Sequence, residues 1–323
     1  MKYKTVFLEN SIMIKNLPCT ADSKMLANFL APFDACVVEK LKGGGYVFDR
    51  CALAEFSLPD FDGKAKVEFS LLKEGNFLLC NDFSGNVRKL VLSQKEGFIF
   101  LYPTYGRVSR YGLVQAVSSM DQIGILTNNP KDAFKLLEVI SGHDSRDGMS
   151  LLNSQFRIAD KQRKLKTAKF NERDENISAV YSILSAAEFT NNISRYDGIK
   201  FGYRARNKNL NDLYIKSRSE AFGADVKLKA ILGNIVLSEK YYQKYYDKAM
   251  RTRRLIKNKI ENLLKTCDIL EIKEPAEEHF ALSPITGCPS LTFIKNGVKT
   301  IILAKQTDED ALFNYIRGQE NGI

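Results

Sequence analysis

Short, unbroken apolar runs alternate with amphipathic stretches along this chain, and the alternation sets the expected elements. FLLC at 77–80 and FIFL at 98–101 are apolar over strand length, the mark of strands covered on both faces. CDILEI at 267–272 and VKTIILA at 298–304 read as strands too, and YVF at 46–48 as a short one. Helical spacing puts Met25, Leu26, Phe29 and Leu30 on one face of a helix over 23–31, and Val37, Val38 and Leu41 on one face over 34–42. Gly43-Gly44-Gly45 ends the second by permitting positive φ. The cleanest helix is 131–141. Asn129 can cap it, Pro130 suits its first turn, Gly142 can terminate it, and Ala133, Phe134, Leu136, Leu137 and Ile140 form its buried stripe.

The helical pattern returns at 177–190 and, with few breakers, from 223 to 266; GIKFGY at 198–203 is strand-like. In the long stretch Tyr241, Tyr242, Tyr245 and Tyr246 recur at i, i+4, which core packing explains. Leu255, Ile256, Ile260, Leu263 and Leu264 continue an apolar face, and the opposite face is basic enough to leave RNA or an acidic partner open. TDEDALFNYIRG at 307–318 predicts a closing helix with Thr307 as its cap and acids in the first turn. DKQRKLKTAK at 160–169 reads as a solvated linker or helix face. Strands alternating with helices predict an α/β fold with a mixed, largely buried sheet. No repeat or boundary divides the chain, so residues 1–323 are expected to form one domain.

Composition narrows the chemistry. At 44% hydrophobic the 323 residues can bury a large core, yet none of its apolar segments approaches the roughly 20 residues of a membrane helix. Val6–Leu8 is too short an apolar run for a signal peptide, so a cytoplasmic protein is expected. Six cysteines without a C-x-x-C pair read as buried thiols. Two histidines, His143 and His279, lie far apart, which argues against a zinc site and a histidine-based triad; no metal and no cofactor are expected. The net charge of +10 reads as a basic surface without an aromatic-plus-basic nucleic-acid motif.

One segment is richer than a connecting loop needs to be. YPTYGRVSRYGLV at 102–114 sets Tyr105, Arg107, Arg110 and Tyr111 around Gly106 and Gly112, and SSMDQIG follows at 118–124. PTYGRVSRYGLVQAVSSMDQIG resembles the stretch after the catalytic serine of amidase-signature enzymes. The likeness continues, in the same order, through LLEVISGHDSRD, SRYDGIKFGYR, SRSEAFGADVK, LGNIVLSEKYYQKYY and GCPSL, and at the N-terminal side through 13–45. Within the family it is most similar to the glutamine-hydrolysing A subunit of tRNA-dependent amidotransferase. The resemblance implies an α/β/α domain around a twisted mixed sheet, and partners among the other amidotransferase subunits or tRNA.

The family's chemistry is acyl transfer by a serine, a bridging serine on a cis peptide, and a lysine whose proton affinity is lowered by burial. Here the resemblance assigns Lys15 to the family lysine, in I-K-N where the family has I-K-D. The Gly-Ser-rich loop that carries the bridging serine has no counterpart in the short interval 57–80. DFSGNVR at 82–88 stands against the family's D-T-G-G-S-I-R. Asp82, Gly85 and Arg88 fix the register and put Asn86 at the nucleophile's place. A carboxamide is not a nucleophile at neutral pH; Ser84 is the nearest substitute hydroxyl. Lys227-Leu228-Lys229 stands where the family has K-R-R, so Lys229 is the candidate substrate contact, without arginine's bidentate fork. The expectation is a shortened amidase-like protein without catalysis, acting by binding. The alternative is a divergent amidase with a rebuilt site.

Overall fold

The computed structural model describes residues 4–59, 67–72, 75–94, 97–159 and 162–318. Among them nine strands form one mixed sheet in the order β2-β1-β3-β5-β4-β8-β9-β7-β6. The strands are β1 (Thr5–Glu9), β2 (Val47–Cys51), β3 (Phe77–Asn81), β4 (Ile99–Tyr102), β5 (Ile123–Thr127), β6 (Thr167–Lys169), β7 (Ile269–Lys273), β8 (Ser290–Lys295) and β9 (Val298–Ala304). β1 runs parallel to both β2 and β3, and β6 to β7; the other pairings are antiparallel.

Period-two alternation divides the central strands between two cores. Leu79, Ile99, Leu101, Ile123 and Ile125 point to the side covered by α1 (Cys36–Gly43), α3 (Pro130–Ile140) and the C-terminal helix α10 (Glu309–Arg317). Leu78, Cys80, Phe100, Tyr102 and Leu126 point to the other side, where α2 (Asn86–Ser93) lies. Behind α2 a larger core gathers α4 (Glu175–Ile193), α5 (Leu210–Ala221), α6 (Ala224–Leu237), α8 (Lys248–Leu263) and the turn α9 (Leu282–Thr286), while the short α7 (Glu239–Tyr241) after α6 buries none of its residues. The layering is helix on sheet on helix, as the alternating pattern and the resemblance imply.

α3 forms as expected. The Asn129 carboxamide oxygen accepts from the N–H of Lys131 and of Asp132, Pro130 opens the helix, and its five apolar residues are fully buried. Several other elements differ from expectation. Only Lys24–Leu26 of 23–31 is helical, a single 3-10 turn capped by Ser23, because Ala21 and Asp22 before it sit at positive φ and the chain turns away after Ala27. GIKFGY is a run of bends rather than a strand, with Gly198 and Gly202 both at positive φ. Asp308, not Thr307, caps α10: its carboxylate accepts from the Ala311 N–H, whereas Thr307 holds φ +70°. Residues 167–169 of the basic stretch are an edge strand, and Arg163 before them pairs with Asp268 and Asp308; residues 160–161 lie outside the described residues.

The tyrosines are the largest departure. Tyr242–Asp247 is a π-helical turn, which rotates the rings off the α-helical stripe. Tyr242 and Tyr245 are exposed, and the rings pair with one another, 241 with 245 and 242 with 246. Only Tyr246 packs against the core.

The rich segment at 102–114 is held by two buried ion pairs. The Arg107 guanidinium donates to both carboxylate oxygens of Glu309 at 3.1 and 2.7 Å, and Arg110 to both of Asp147 at 3.1 and 2.7 Å. Gly112, at φ +83°, passes so close to Ala35 that a Cβ would lie 2.4 Å from its Cα. The segment therefore ties α10, the 144–151 loop and the start of α1 to the end of β4.

Candidate functional site

β1 and β3 run parallel and end side by side, at Glu9 and Asn81. Residues 82–85 then make a tight turn, with Gly85 at φ +78°, and α2 begins at Asn86. Asp82 organises the turn. Its carboxylate accepts from the backbone N–H of Val87 at 2.8 Å and of Arg88 at 3.3 Å, and from Arg88 Nε at 2.8 Å. Arg88 is fully buried, returns a bond to the Asp82 carbonyl, and lies 4.9 Å from the Tyr102 ring centroid. The N-terminal amides of α2 are thus satisfied by the protein's own carboxylate.

Asn86, which the sequence resemblance assigns to the nucleophile's place, turns its carboxamide Nδ2 onto the Leu58 carbonyl at 2.7 Å. Ser84 is buried, and its Oγ accepts a long bond, 3.5 Å, from the Asn86 N–H. Lys15 lies elsewhere. It is exposed on the turn six residues past the end of β1, its N–H donating to Asp34. Lys229 turns inward from α6 onto α4, where Nζ donates to Ser185 Oγ at 2.7 Å and sits 5.3 Å from the Tyr181 ring centroid. Burial lowers its proton affinity, to a pKa of about 8. Lys227 and Leu228 of the same run face solvent.

The structure gathers a different set at the end of the sheet. Glu9 is buried, and its carboxylate accepts from Ser57 Oγ at 2.6 Å and from the Asn81 N–H at 2.7 Å. Burial pushes the Glu9 carboxyl up to about 7, against the opposing pull of these bonds and of Ser11. Phe56 and Ser57 both hold left-handed φ, +50° and +56°. The Phe56 ring, packed among Phe189, Tyr196 and Phe222, pins that conformation. Asn81 continues the network: Nδ2 donates to Asp121, which also accepts from the N–H of Ala116 and of Val117. Glu9, Ser57, Asn81 and Asp121 escaped the sequence reading. The signal for Glu9 was available, an acid directly after Val6–Leu8, but the triplet was weighed only as a leader and not as a strand.

Comparison with known proteins places this geometry. The family model described as Amidase matches residues 97–170 and 153–281. A Wolinella succinogenes protein, named as the A subunit of Glutamyl-tRNA(Gln) amidotransferase, is 35% identical over 82% of this chain and 72% of its own length. The chain belongs to the amidase family. A Campylobacter lari protein of the same name is 33% identical over 92% of this chain and 75% of its own. Solved structures agree on the amidase fold. The Thermotoga maritima Glutamyl-tRNA(Gln) amidotransferase A subunit superposes with TM-score 0.67 at 22% identity, covering 97% of this chain and 83% of that one. A protein from a vestigial complex, described as revealing the evolutionary origins of an s-triazine catabolic enzyme, superposes with TM-score 0.78 at 18% identity, covering 99% and 84%. Asp82, Gly85 and Arg88, which carry the sequence resemblance in this segment, are the residues that shape the turn before α2.

Proposed function

We propose that this chain is a non-catalytic amidase-family protein that acts in the cytoplasm by binding, in the manner of an A-type amidotransferase subunit that has given up glutamine hydrolysis. The observation that carries the reading is Asn86. At the first position of α2 it offers no nucleophile, and its carboxamide is engaged with the Leu58 carbonyl. Lys15, exposed beside Asp34, is badly placed to serve as a base. The place of the family lysine is better matched by Glu9. Leu8-Glu9-Asn10 sets a charged residue directly after an apolar one, as I-K-D does, and Glu9 stands at the strand end beside Ser57 and Asn81. A carboxyl group there replaces the neutral amine that the amidase mechanism uses as its base. The partners proposed are the other amidotransferase subunits or tRNA. Ammonia release from glutamine, measured with and without those subunits, tests the reading; release above that of the same mixture lacking the chain would overturn it.

One observation favours a second reading, a rebuilt amidase. Ser57 Oγ lies 2.6 Å from a Glu9 carboxylate whose proton affinity suits general-base work near neutrality. On that reading an acylating probe labels Ser57, in preference to Ser84. The burial of both Ser57 and Glu9 stands against it, since an acyl donor has to reach the hydroxyl.

A further inference from the structure

α6 carries two apolar stripes. One, including Val226, Gly233 and Val236, is buried against α4, where a Cβ on Gly233 would lie 2.2 Å from the Ala186 carbonyl oxygen. The other is Leu228, Ile231, Leu232 and Ile235, at i, i+3, i+4 and i+7. It faces outward, with 59, 58, 36 and 46% of each residue exposed. A helix that is apolar all round is ordinarily covered all round. Single exposed leucines need no explanation, but a contiguous stripe at heptad spacing marks an interaction surface. The stripe borders a groove of about 430 Å³ between α5 and α6, lined by Tyr214, Ile215, Phe222, Ala230 and Ile231, with Arg218 and Lys227 among its cations.

A basic run follows this face along the chain. Between residues 239 and 259 the chain carries eight lysines and arginines against two acids, Glu239 and Asp247. Lys240, Lys244 and Lys248 are exposed, and the π-helical turn that bears Lys244 packs against α6.

We propose that this face docks an amphipathic helix of an acidic partner protein, its apolar side on the Leu228–Ile235 stripe and its carboxylates toward Arg218, Lys227, Lys240 and Lys244. The inference rests on the reading that the chain acts by binding, and it names the surface and the chemistry of the partner. A second copy docked through the same patch brings one cationic rim onto another, which disfavours an isologous dimer. A nucleic acid satisfies the cations but leaves four aliphatic side chains in water.

The test uses the full chain and two labelled helical peptides. Both carry leucine at i, i+3, i+4 and i+7; one has glutamate and the other lysine at the flanking positions. The expected result is binding of the glutamate peptide roughly tenfold or more tighter than the lysine peptide by fluorescence anisotropy. Ile231→Ser with Ile235→Ser, both at exposed positions, should remove it. Lys240→Glu with Lys244→Glu should reverse the preference between the peptides. Equal binding of both peptides, or binding indifferent to the serine substitutions, overturns the proposal. So does dimerisation of the chain that those substitutions abolish, or displacement of the glutamate peptide by oligouridine. A chain that hydrolyses glutamine yet binds the glutamate peptide refutes the proposed function and supports the docking face; an inactive chain that binds neither peptide refutes the docking face alone.

Discussion

Replacing Glu9 by glutamine should stabilise the protein above neutral pH and change little in acid. The native carboxyl is pushed from an ordinary 4.5 up to about 7, chiefly by burial at the end of β1. Between those values the folded chain holds a proton that the unfolded chain has released, so rising pH favours unfolding. The stability that Glu9 contributes is complete below about pH 4.5, declines through the interval, and is lost above about pH 7. At about 1.4 kcal/mol per pH unit, the cost at pH 8 is of order 3 kcal/mol. Glutamine keeps the shape and both contacts: its oxygen can accept from the Asn81 N–H, and its amide can donate to Ser57 Oγ, which rotates from donor to acceptor. Urea unfolding at pH 5 and pH 8 measures the effect. Glu9→Gln should gain about 2–3 kcal/mol over the parent at pH 8 and less than about 1 kcal/mol at pH 5. Parallel pH dependences for the two proteins, or a loss of stability at pH 8, would refute the reasoning.

Other substitutions probe the scaffold. Gly112→Ala should cost more than about 2 kcal/mol in urea unfolding, because it adds left-handed strain to a collision with the Ala35 backbone. Arg88→Met should cost about 3–5 kcal/mol in the same assay, since it leaves the buried Asp82 carboxylate without its partner. Lys229→Met should act in the opposite direction. Burial lowers Lys229 to about 8 from 10.5, so the parent gains stability as pH rises between those values, and the substitution should add about 1–3 kcal/mol at pH 7 but little at pH 10.5. Unfolding curves at the two pH values check both the size and the sign.

The fold was legible where one element's pattern was long or uninterrupted. β9 begins and ends where VKTIILA does, and α3 carries its expected N-cap, first-turn proline and core residues, with Ser141 rather than Gly142 as its C-cap. β5 and β8 went unread because Gly124 and Thr292 break their apolar runs. Both are central strands whose partners supply the missing cover, a tertiary effect absent from local pattern. The helix expected over 23–31 failed for the converse reason: its apolar residues have helical spacing, but Ala21 and Asp22 turn the backbone through positive φ, and Met25 and Leu26 are buried by a 3-10 turn instead. At Tyr241–Tyr246 one extra residue per turn moves the rings off the predicted stripe, and nothing in residue spacing announces a π turn.

The site divided along the same line. Asp82, Asn86 and Arg88 were readable because they share one short motif, and the structure keeps them together at the start of α2. Glu9, Ser57, Asn81 and Asp121 come from four separate segments and meet only through the β1–β3 pairing and the left-handed turn at Phe56-Ser57. Lys15, assigned by its neighbours in sequence, lies on an exposed turn six positions past the residue that ends β1.

The central claim, a retained amidase fold without amidase chemistry, is tested most directly by incubating the purified full chain with glutamine, alone and with the other amidotransferase subunits, and measuring ammonia while an acylating probe reports nucleophiles. The account predicts no ammonia above that of the same mixture without the chain, and no specific label. Turnover, together with a label that disappears in Ser57→Ala or Ser84→Ala, would contradict it.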